Sequence, residues 1–124
     1  MTKRVPKIIQ QWADSIALRS PKKMISMYSD KAILLATFEP LIVGKKDILK
    51  YFEMFLAKEG LQCKITTNLT QIDRDRDTRI ASGLYTFSFM KNGYRKKIVK
   101  ARYTFVINEG IIINHHSSLV PEED

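Results

Sequence analysis

The hydrophobic positions of this chain follow a helical period in the first half and a strand period afterwards. After Pro6, apolar residues recur at intervals of three and four, which predicts an amphipathic first helix over about 5–16. Ser20 and Pro21 are typical of an N-cap and a first helical turn. They predict a short second helix that carries Met24, Ile25, Met27 and Tyr28.

A brief strand over residues 32–37 and a third helix from about Asp47 complete the first half of the chain. Gly44 precedes this helix, and Gly60 stands where a helix of this length ends. Its apolar residues fall on one face, which indicates that the helix packs on a core. They are Ile48, Tyr51, Phe52, Phe55 and Leu56.

From Gln62 onward the pattern predicts four long strands. We place them at residues 62–72, 79–90, 94–107 and 111–118. Asn92-Gly93 is typical of a two-residue hairpin turn, and Asn108-Glu109-Gly110 supplies another turn with a glycine at a position of positive φ. These turns make the last three strands an antiparallel meander.

Helices followed by an antiparallel sheet indicate an α+β fold, in which a curved antiparallel sheet packs on N-terminal helices. The 124 residues fit a single domain over 1–124. If the long strands curl, the helices and the inner sheet face enclose a cone with a pocket at its open end. A broad apolar outer face is costly in water, so we expect a homodimer or a larger ring.

Basic residues outnumber acidic ones by 21 to 13, which gives a net charge of +8. A field of this sign attracts anions, either nucleic acid or a small anion such as a carboxylate or bicarbonate. No nucleic-acid-binding signature accompanies the basic residues, and nearby aromatic residues alternate as core positions, so nucleic acid is not the expected partner. The excess charge is concentrated at Lys91, Arg95, Lys96, Lys97, Lys100 and Arg102.

Three features predict a cytoplasmic protein without a membrane segment. Cys63 has no partner for a disulfide within the chain, which fits a reducing compartment. Gln10, Gln11 and Asp14 interrupt the first apolar residues before a signal-peptide core could form. No apolar stretch has the length that a membrane span requires.

The run from Asn114 to Ser118, at the end of the last strand, contains both histidines of the chain. Because strand side chains alternate, His115 and Ser117 are expected on one face with Ile111 and Ile113. His116 and Ser118 are expected on the other face. This run can be an ordinary polar strand end. It can also be a hydroxyl and a neutral imidazole that position and deprotonate a small polar substrate. Histidines on opposite faces make a poor metal site, so no metal is predicted.

Several segments, in the same order along the chain, carry a family resemblance that runs from about residue 9 to residue 122. The pattern resembles the association domain of calcium/calmodulin-dependent protein kinase II, within the nuclear transport factor 2-like superfamily. Within that family it is most similar to the iota-class carbonic anhydrase branch. The segments are Trp12 followed by Ala17-Leu18, Tyr28 before Ala32-Ile33-Leu34-Leu35-Ala36-Thr37, Tyr51-Phe52 with Phe55-Leu56, Ser82-Gly83-Leu84-Tyr85-Thr86-Phe87, Ala101-Arg102-Tyr103-Thr104-Phe105-Val106, and His115-His116-Ser117-Ser118 with Pro121.

The resemblance implies a cone-shaped α+β fold that self-associates, with a polar pocket able to hold bicarbonate without a metal or another cofactor. It implies catalytic roles for His115 and Ser117. Thr37 and Tyr51 match pocket hydroxyls of the family and are expected to bind the substrate. Arg102 occupies the position of an arginine that meets carboxylate ligands in the kinase association domains, so it is also expected to bind the substrate.

Three functional hypotheses follow from these residues. In the first, the protein interconverts carbon dioxide and bicarbonate without a metal. Neutral His115 accepts a proton from water, the hydroxyls hold the bicarbonate oxygens, and Arg102 stabilises the charge. In the second, the protein is a noncatalytic oligomerising association module that binds a small carboxylate. In the third, it is an enzyme with a different small substrate, because this fold supports many chemistries.

Overall fold

The computed structural model describes residues 1–122, which form three helices and six strands. The order of helices first and long strands afterwards is as predicted. The elements are α1 (Lys7–Ile16), α2 (Pro21–Ile25), β1 (Tyr28–Leu35), β2 (Ile42–Val43), α3 (Lys45–Phe55), β3 (Gln62–Asp73), β4 (Thr78–Lys91), β5 (Arg95–Asn108) and β6 (Ile111–Leu119).

The strands form a single curved sheet in the order β2-β1-β6-β5-β4-β3. Strands β4 to β6 make the expected antiparallel meander, and β3 extends it as a further antiparallel neighbour of β4. The predicted α+β fold is confirmed. One pairing differs from the prediction, because β1 runs parallel to β6. A parallel neighbour requires a long connection between the two strands, and here α3 and the meander supply it. The sheet is therefore mixed rather than wholly antiparallel.

The second helix is shorter than predicted, and Tyr28 lies in a strand instead. The helix ends at Ile25, and Tyr28 begins β1 with its side chain fully buried. The amide of Ile112 donates to the carbonyl oxygen of Met27 at 2.9 Å, which ties this point of the chain to β6. Pairing with a distant strand has overridden the local helical spacing. Strand β2 was not predicted, because two residues show no periodicity.

The turns that join the last three strands use positive φ angles, as their sequences predict. Asn92 and Gly93 have φ of 58° and 78°. The turn contains three residues rather than two, since Lys91 pairs with Arg95. In the following turn, residues 109–110 have φ of 51° and 79°. Both turns hold consecutive long strands in antiparallel register.

The hydrophobic core lies between the helices and the face of the sheet that they cover, which we call the inner face. Trp12 on α1 is at its centre, 2% exposed, with ring centroids 5.7 Å from Tyr85 and 5.4 Å from Phe105. Burial of side chains of this size contributes about 1.5 to 3 kcal/mol each. The core extends to His115, whose ring lies 5.2 Å from the Trp12 ring. A polar site therefore borders an aromatic core.

Candidate functional site

A β-bulge in β6 determines which of its side chains face the core. Ile107 pairs with Ile112, but Val106 pairs with Asn114, so Ile113 is an extra residue in the strand. Such a bulge resets the alternation of side chains. Ile112 is fully buried, and Ile113 is 37% exposed. The expectation that His115 shares a face with Ile111 and Ile113 is therefore wrong.

Beyond the bulge, the expected alternation holds. His115 pairs with buried Phe105, and Ser117 pairs with buried Tyr103, so both point to the inner face. His116 is exposed on the opposite, outer face. The prediction that only one of the two histidines can serve an inner pocket agrees with this arrangement.

Four of the predicted site residues meet where a cleft joins a small cavity. The Thr37 Oγ1 and Ser117 Oγ atoms are 3.0 Å apart and form a hydrogen bond between β6 and the residues just after β1. Thr37 and Tyr51 line a cleft of about 410 Å³. Tyr51, His115 and Ser117 line an adjacent cavity of about 20 Å³. The structure thus places these four side chains on one side of the sheet.

The walls of the cleft are mostly apolar, with charged side chains among them that were not predicted as site residues. The apolar ones are Phe38, Met54, Phe55, Phe87, Phe89, Val99 and Ala101. Glu39, Lys58 and Lys97 also line the cleft. Strand alternation could have identified Lys97, because it shares the inner face with Val99 and Ala101. No local signal marks Glu39 or Lys58.

His115 is enclosed by aromatic residues, and both of its ring nitrogens have partners. Its Nδ1 atom is 2.9 Å from the hydroxyl of Tyr28, and its Nε2 atom is 3.1 Å from the hydroxyl of Tyr85. The ring stacks on Phe105 with centroids 3.8 Å apart. Burial, with a smaller contribution from His116, lowers the pKa of His115 to about 3. The imidazole is therefore neutral at ordinary pH.

The direction of these hydrogen bonds is set by Trp12. Its indole nitrogen can only donate, and it donates to the Tyr28 hydroxyl at 3.0 Å. Within the described residues, Nδ1 of His115 is the only acceptor that the proton of the buried Tyr28 hydroxyl can reach. We therefore infer that Tyr28 donates to Nδ1 and that the ring proton of His115 is on Nε2. Nε2 donates to Tyr85, which lines the small cavity together with Ser117. A chain of hydrogen bonds thus runs from the core to the wall of this cavity.

This geometry disagrees with the expected role of His115 as a proton acceptor for water. Both of its ring nitrogens are hydrogen-bonded to tyrosine hydroxyls, and its low pKa opposes protonation. His115 instead holds the hydroxyl of Tyr85 in place. A group that is fixed in this way can orient its neighbours without touching a ligand itself.

The tyrosines near the pocket remain protonated at neutral pH. Burial raises the pKa of Tyr51, and the negative charge of Glu39 contributes in the same direction. Burial also raises the pKa of Tyr85 well above its ordinary value. Because a protonated hydroxyl can donate a hydrogen bond, both groups suit a site in which negative charge develops.

Arg102 does not lie with the other predicted site residues. Its neighbours Ala101 and Tyr103 point to the inner face and are buried, so Arg102 points outward and is exposed. Its Nε atom donates to Ser118 Oγ at 2.9 Å, across the β5–β6 pair. The expectation that Arg102 shares a cavity with Ser117 is wrong for this chain, because alternate strand residues occupy opposite faces.

Within residues 1–122, no three or more histidine, cysteine, aspartate or glutamate side chains converge in a way that could hold a metal ion. In the same part of the chain, none of the helices has the length and apolar character needed to cross a membrane.

Comparisons with known proteins agree with the fold. The family model for the calcium/calmodulin dependent protein kinase II association domain matches residues 2–121. A crystal structure of a candidate domain of this kind from Xanthomonas campestris is 30% identical, with a TM-score of 0.85, and the match covers 99% of this chain and 97% of that one. None of the curated proteins matches the chain.

More distant structures share the fold alone. A candidate dehydratase of the nuclear transport factor 2-like family from Streptomyces avermitilis has 13% identity and a TM-score of 0.82, covering 93% of this chain and 92% of that one. An uncharacterised protein with a cystatin-like fold from Caulobacter vibrioides has 14% identity and a TM-score of 0.76, and the match covers 92% of this chain and 85% of that one.

The enclosure of His115 predicts a specific dependence of stability on pH. In the unfolded chain this histidine binds a proton with a pKa of about 6.5, whereas in the folded chain it does so only near a pKa of about 3. The unfolded state therefore binds more protons between these values. The contribution of this group to the free energy of unfolding falls with decreasing pH, by at most about 1.4 kcal/mol per pH unit.

Denaturant unfolding of the wild type and of His115→Gln, from about pH 8 to about pH 4, measures this contribution. The difference in unfolding free energy should shrink as pH falls, and a constant difference would contradict the assignment.

The His116→Ala variant has a single histidine. Its ¹⁵N spectrum should show a neutral ring protonated at Nε2 over the same range.

Proposed function

The chain belongs to the calcium/calmodulin dependent protein kinase II association domain family, and from that premise we propose that its pocket interconverts carbon dioxide and bicarbonate without a metal. The observation that carries the proposal is the pair of hydroxyls of Thr37 and Ser117, 3.0 Å apart, beside Tyr51 in an otherwise mostly apolar space. These groups are hydroxyls rather than the nitrogen and sulfur ligands that zinc prefers.

In the proposed reaction, carbon dioxide rests against the aromatic walls of the cleft, and water is held by the hydroxyl pair. The water oxygen forms a bond to the carbon of carbon dioxide. The electron pair of one carbon–oxygen π bond of carbon dioxide moves onto its oxygen, and a proton leaves the water. Tyr51 and the one hydroxyl of the Thr37–Ser117 pair that does not donate to the other donate hydrogen bonds to the oxygens on which negative charge develops.

The leaving proton requires an acceptor other than His115. Glu39 is a suitable one because its carboxylate lines the cleft and lies near enough to Tyr51 to affect the Tyr51 pKa. A positioned general base contributes about 10²- to 10⁴-fold to a rate. His115 acts as a positioning residue through Tyr85. Once Glu39 has released the proton to solvent, its negative charge opposes tight binding of bicarbonate, which helps the product to leave.

The hydroxyl pair gives the first test. We expect chelator-treated wild-type protein to accelerate carbon dioxide hydration in stopped-flow measurements. Ser117→Ala and Thr37→Val should each lower kcat/KM by about 10²-fold, because each breaks the hydroxyl pair that holds the water and donates to the developing charge. Ser118→Ala is the matched control, since Ser118 is the adjacent serine on the outer face, and it should retain wild-type activity. A wild type no faster than buffer would rule out this function.

Glu39 gives a second test that does not depend on the hydroxyls. Glu39→Gln should lower kcat by about 10²-fold or more, because the amide cannot accept the proton. Glu53→Gln changes the same charge on the exposed side of α3, outside the cleft, and should leave kcat unchanged. Equal rates for Glu39→Gln and the wild type would remove Glu39 from the mechanism.

A second candidate function is a noncatalytic association module that binds a small carboxylate. The size of the cleft favours it, because about 410 Å³ is within the usual range for small-molecule sites and exceeds what bicarbonate needs. Lys58 and Lys97 line the same cleft and could pair with a carboxylate. A protein that binds acetate, loses this binding in Lys97→Ala, and hydrates no carbon dioxide would fit this candidate and not the first.

Both candidate functions include self-association through the outer sheet face. Several large apolar side chains are exposed on this face because no other element of the fold covers it, and such exposure is costly in water. The family takes its name from association, which supports the same proposal. The exposed side chains on this face are Leu35, Leu69, Ile80, Leu84 and Ile98.

Sedimentation measurements test this interface. Leu84 is 38% exposed, so Leu84→Lys should preserve the fold but weaken association by at least about tenfold through the burial of an unpaired charge. Leu41→Lys introduces the same charge at an exposed loop residue and should associate as the wild type does. A wild type that stays monomeric at micromolar concentration contradicts the proposal.

A further inference from the structure

The hairpin of β4 and β5 extends beyond the end of β6, so one edge of β5 has no neighbouring strand. Strand β6 ends at Leu119, which pairs with Ala101. Residues 95–99 pair with β4 on one side, and within residues 1–122 no strand lies beside them on the other side. The stretch 95–99, which we call the open edge, is mostly exposed. A further strand could therefore reach it.

Alternate residues of the open edge direct their backbone groups away from β4. Residues along an antiparallel strand alternate between bonded and non-bonded pairs with a given neighbour. The carbonyl oxygen of Lys100 accepts from the amide of Val120 at 3.3 Å, on the side of β6. By this alternation, Lys96 and Ile98 direct their N–H and C=O groups to the same side, where no other backbone group of residues 1–122 bonds to them. Such a row of groups is a template for another strand.

The open edge carries positive charge that no carboxylate balances. Arg95, Lys96 and Lys97 are consecutive, and Lys100 follows directly after the open edge. Within residues 1–122 none of the four forms an ion pair, and residues 78–108 contain no aspartate or glutamate. Lysines on an edge oppose pairing with most other strands. Opposite charges across a strand pair are favourable, so this edge selects an acidic strand.

We propose that the open edge binds an extended acidic segment of another protein chain as an added strand, which continues the line and direction of β6. Main-chain hydrogen bonds at Lys96 and Ile98 provide affinity, and the side chains provide specificity. A second copy of the open edge does not fit this description, because its like charges would lie opposite each other. The hydroxyls of the pocket take no part, so the proposal is independent of the function of the pocket.

The two faces of the sheet determine which side chains the added strand should carry. Lys97 and Val99 line the cleft, so the residues opposite them point to the inner face. An apolar residue opposite Val99 would rest on the rim of the cleft, and acidic residues would face Lys97, Lys96 and Arg95. In the antiparallel direction, the preferred order is one apolar residue, one residue of any kind and three acidic residues.

Hydrogen exchange followed by NMR tests the proposal with the peptide acetyl-Val-Thr-Glu-Glu-Glu-Thr amide. In the free protein, the amides of Lys96 and Ile98 should exchange rapidly, and those of Lys97 and Val99 slowly because they bond to β4. Saturating peptide should slow exchange at Lys96 and Ile98 by at least about tenfold, since both become hydrogen-bonded. Peptide that binds without slowing these two amides would contradict strand addition.

Two methylated peptides test the direction of the main-chain bonds. N-methylation of the threonine that follows the valine removes the donor to the carbonyl oxygen of Ile98, so affinity should fall by at least about tenfold. N-methylation of the first glutamate, opposite Lys97, affects an N–H that faces solvent and should change affinity by less than about threefold. Equal losses in the two peptides would overturn the assignment of the edge.

A charge reversal on β5 tests the preference for an acidic partner. Lys96→Glu should weaken peptide binding by at least about tenfold, because like charges then lie opposite each other. Lys64→Glu is the matched control, since Lys64 is exposed on β3, beyond β4 from the open edge, and it should change affinity by less than about twofold. Equal losses would replace the site with general charge attraction.

Exchange in the free protein distinguishes the other occupants of the open edge. Slow exchange at Lys96 and Ile98 at every protein concentration would assign the edge to the acidic residues 122–124 of the same chain. Protection that increases with protein concentration would assign it to a second copy. Either result would overturn the proposal, whereas rapid exchange that only the peptide slows supports it.

Discussion

A buried chain of hydrogen bonds from Trp12 through Tyr28 and His115 to Tyr85 is the interaction on which the rest of the molecule depends. It joins α1, β1, β6 and β4 inside an aromatic core, where a polar group without a partner costs free energy. Because an indole can only donate, the chain has one direction and one histidine tautomer. Loss of any member leaves its neighbours without partners, so the chain specifies the packing of the helices on the sheet as well as the state of the pocket.

The periodicity of the sequence predicted most of the fold, and the failures have local physical causes. Long strands were placed within a few residues, because alternation over ten or more positions is a strong signal. The parallel pairing of β1 with β6 was missed, since it depends on residues that are far apart in sequence. The bulge at Ile113 was missed as well. Three consecutive isoleucines contain no alternation that could show where one residue is extra.

The candidate site was predictable only in part for similar reasons. Thr37, Tyr51 and Ser117 came from a family resemblance, and the contact between Thr37 and Ser117 exists only because β1 lies beside β6. The enclosure of His115 could not be foreseen, since its tyrosine partners lie 87 and 30 residues away in sequence. The outward direction of the Arg102 side chain could have been predicted, because its neighbours on β5 are core residues.

The separation of Arg102 from the pocket follows from the same energetics that keep His115 neutral. An aromatic environment that lowers the pKa of an imidazole to about 3 would also penalise a guanidinium, which cannot lose its charge. The inner side of β6 therefore presents a neutral hydroxyl rather than a charged group. The outer side is solvated and can present the arginine at little cost. Neighbouring strands β5 and β6 thus place a charged guanidinium on the solvated face and a neutral hydroxyl on the inner face, and the desolvation free energy determines which kind of group occupies each face.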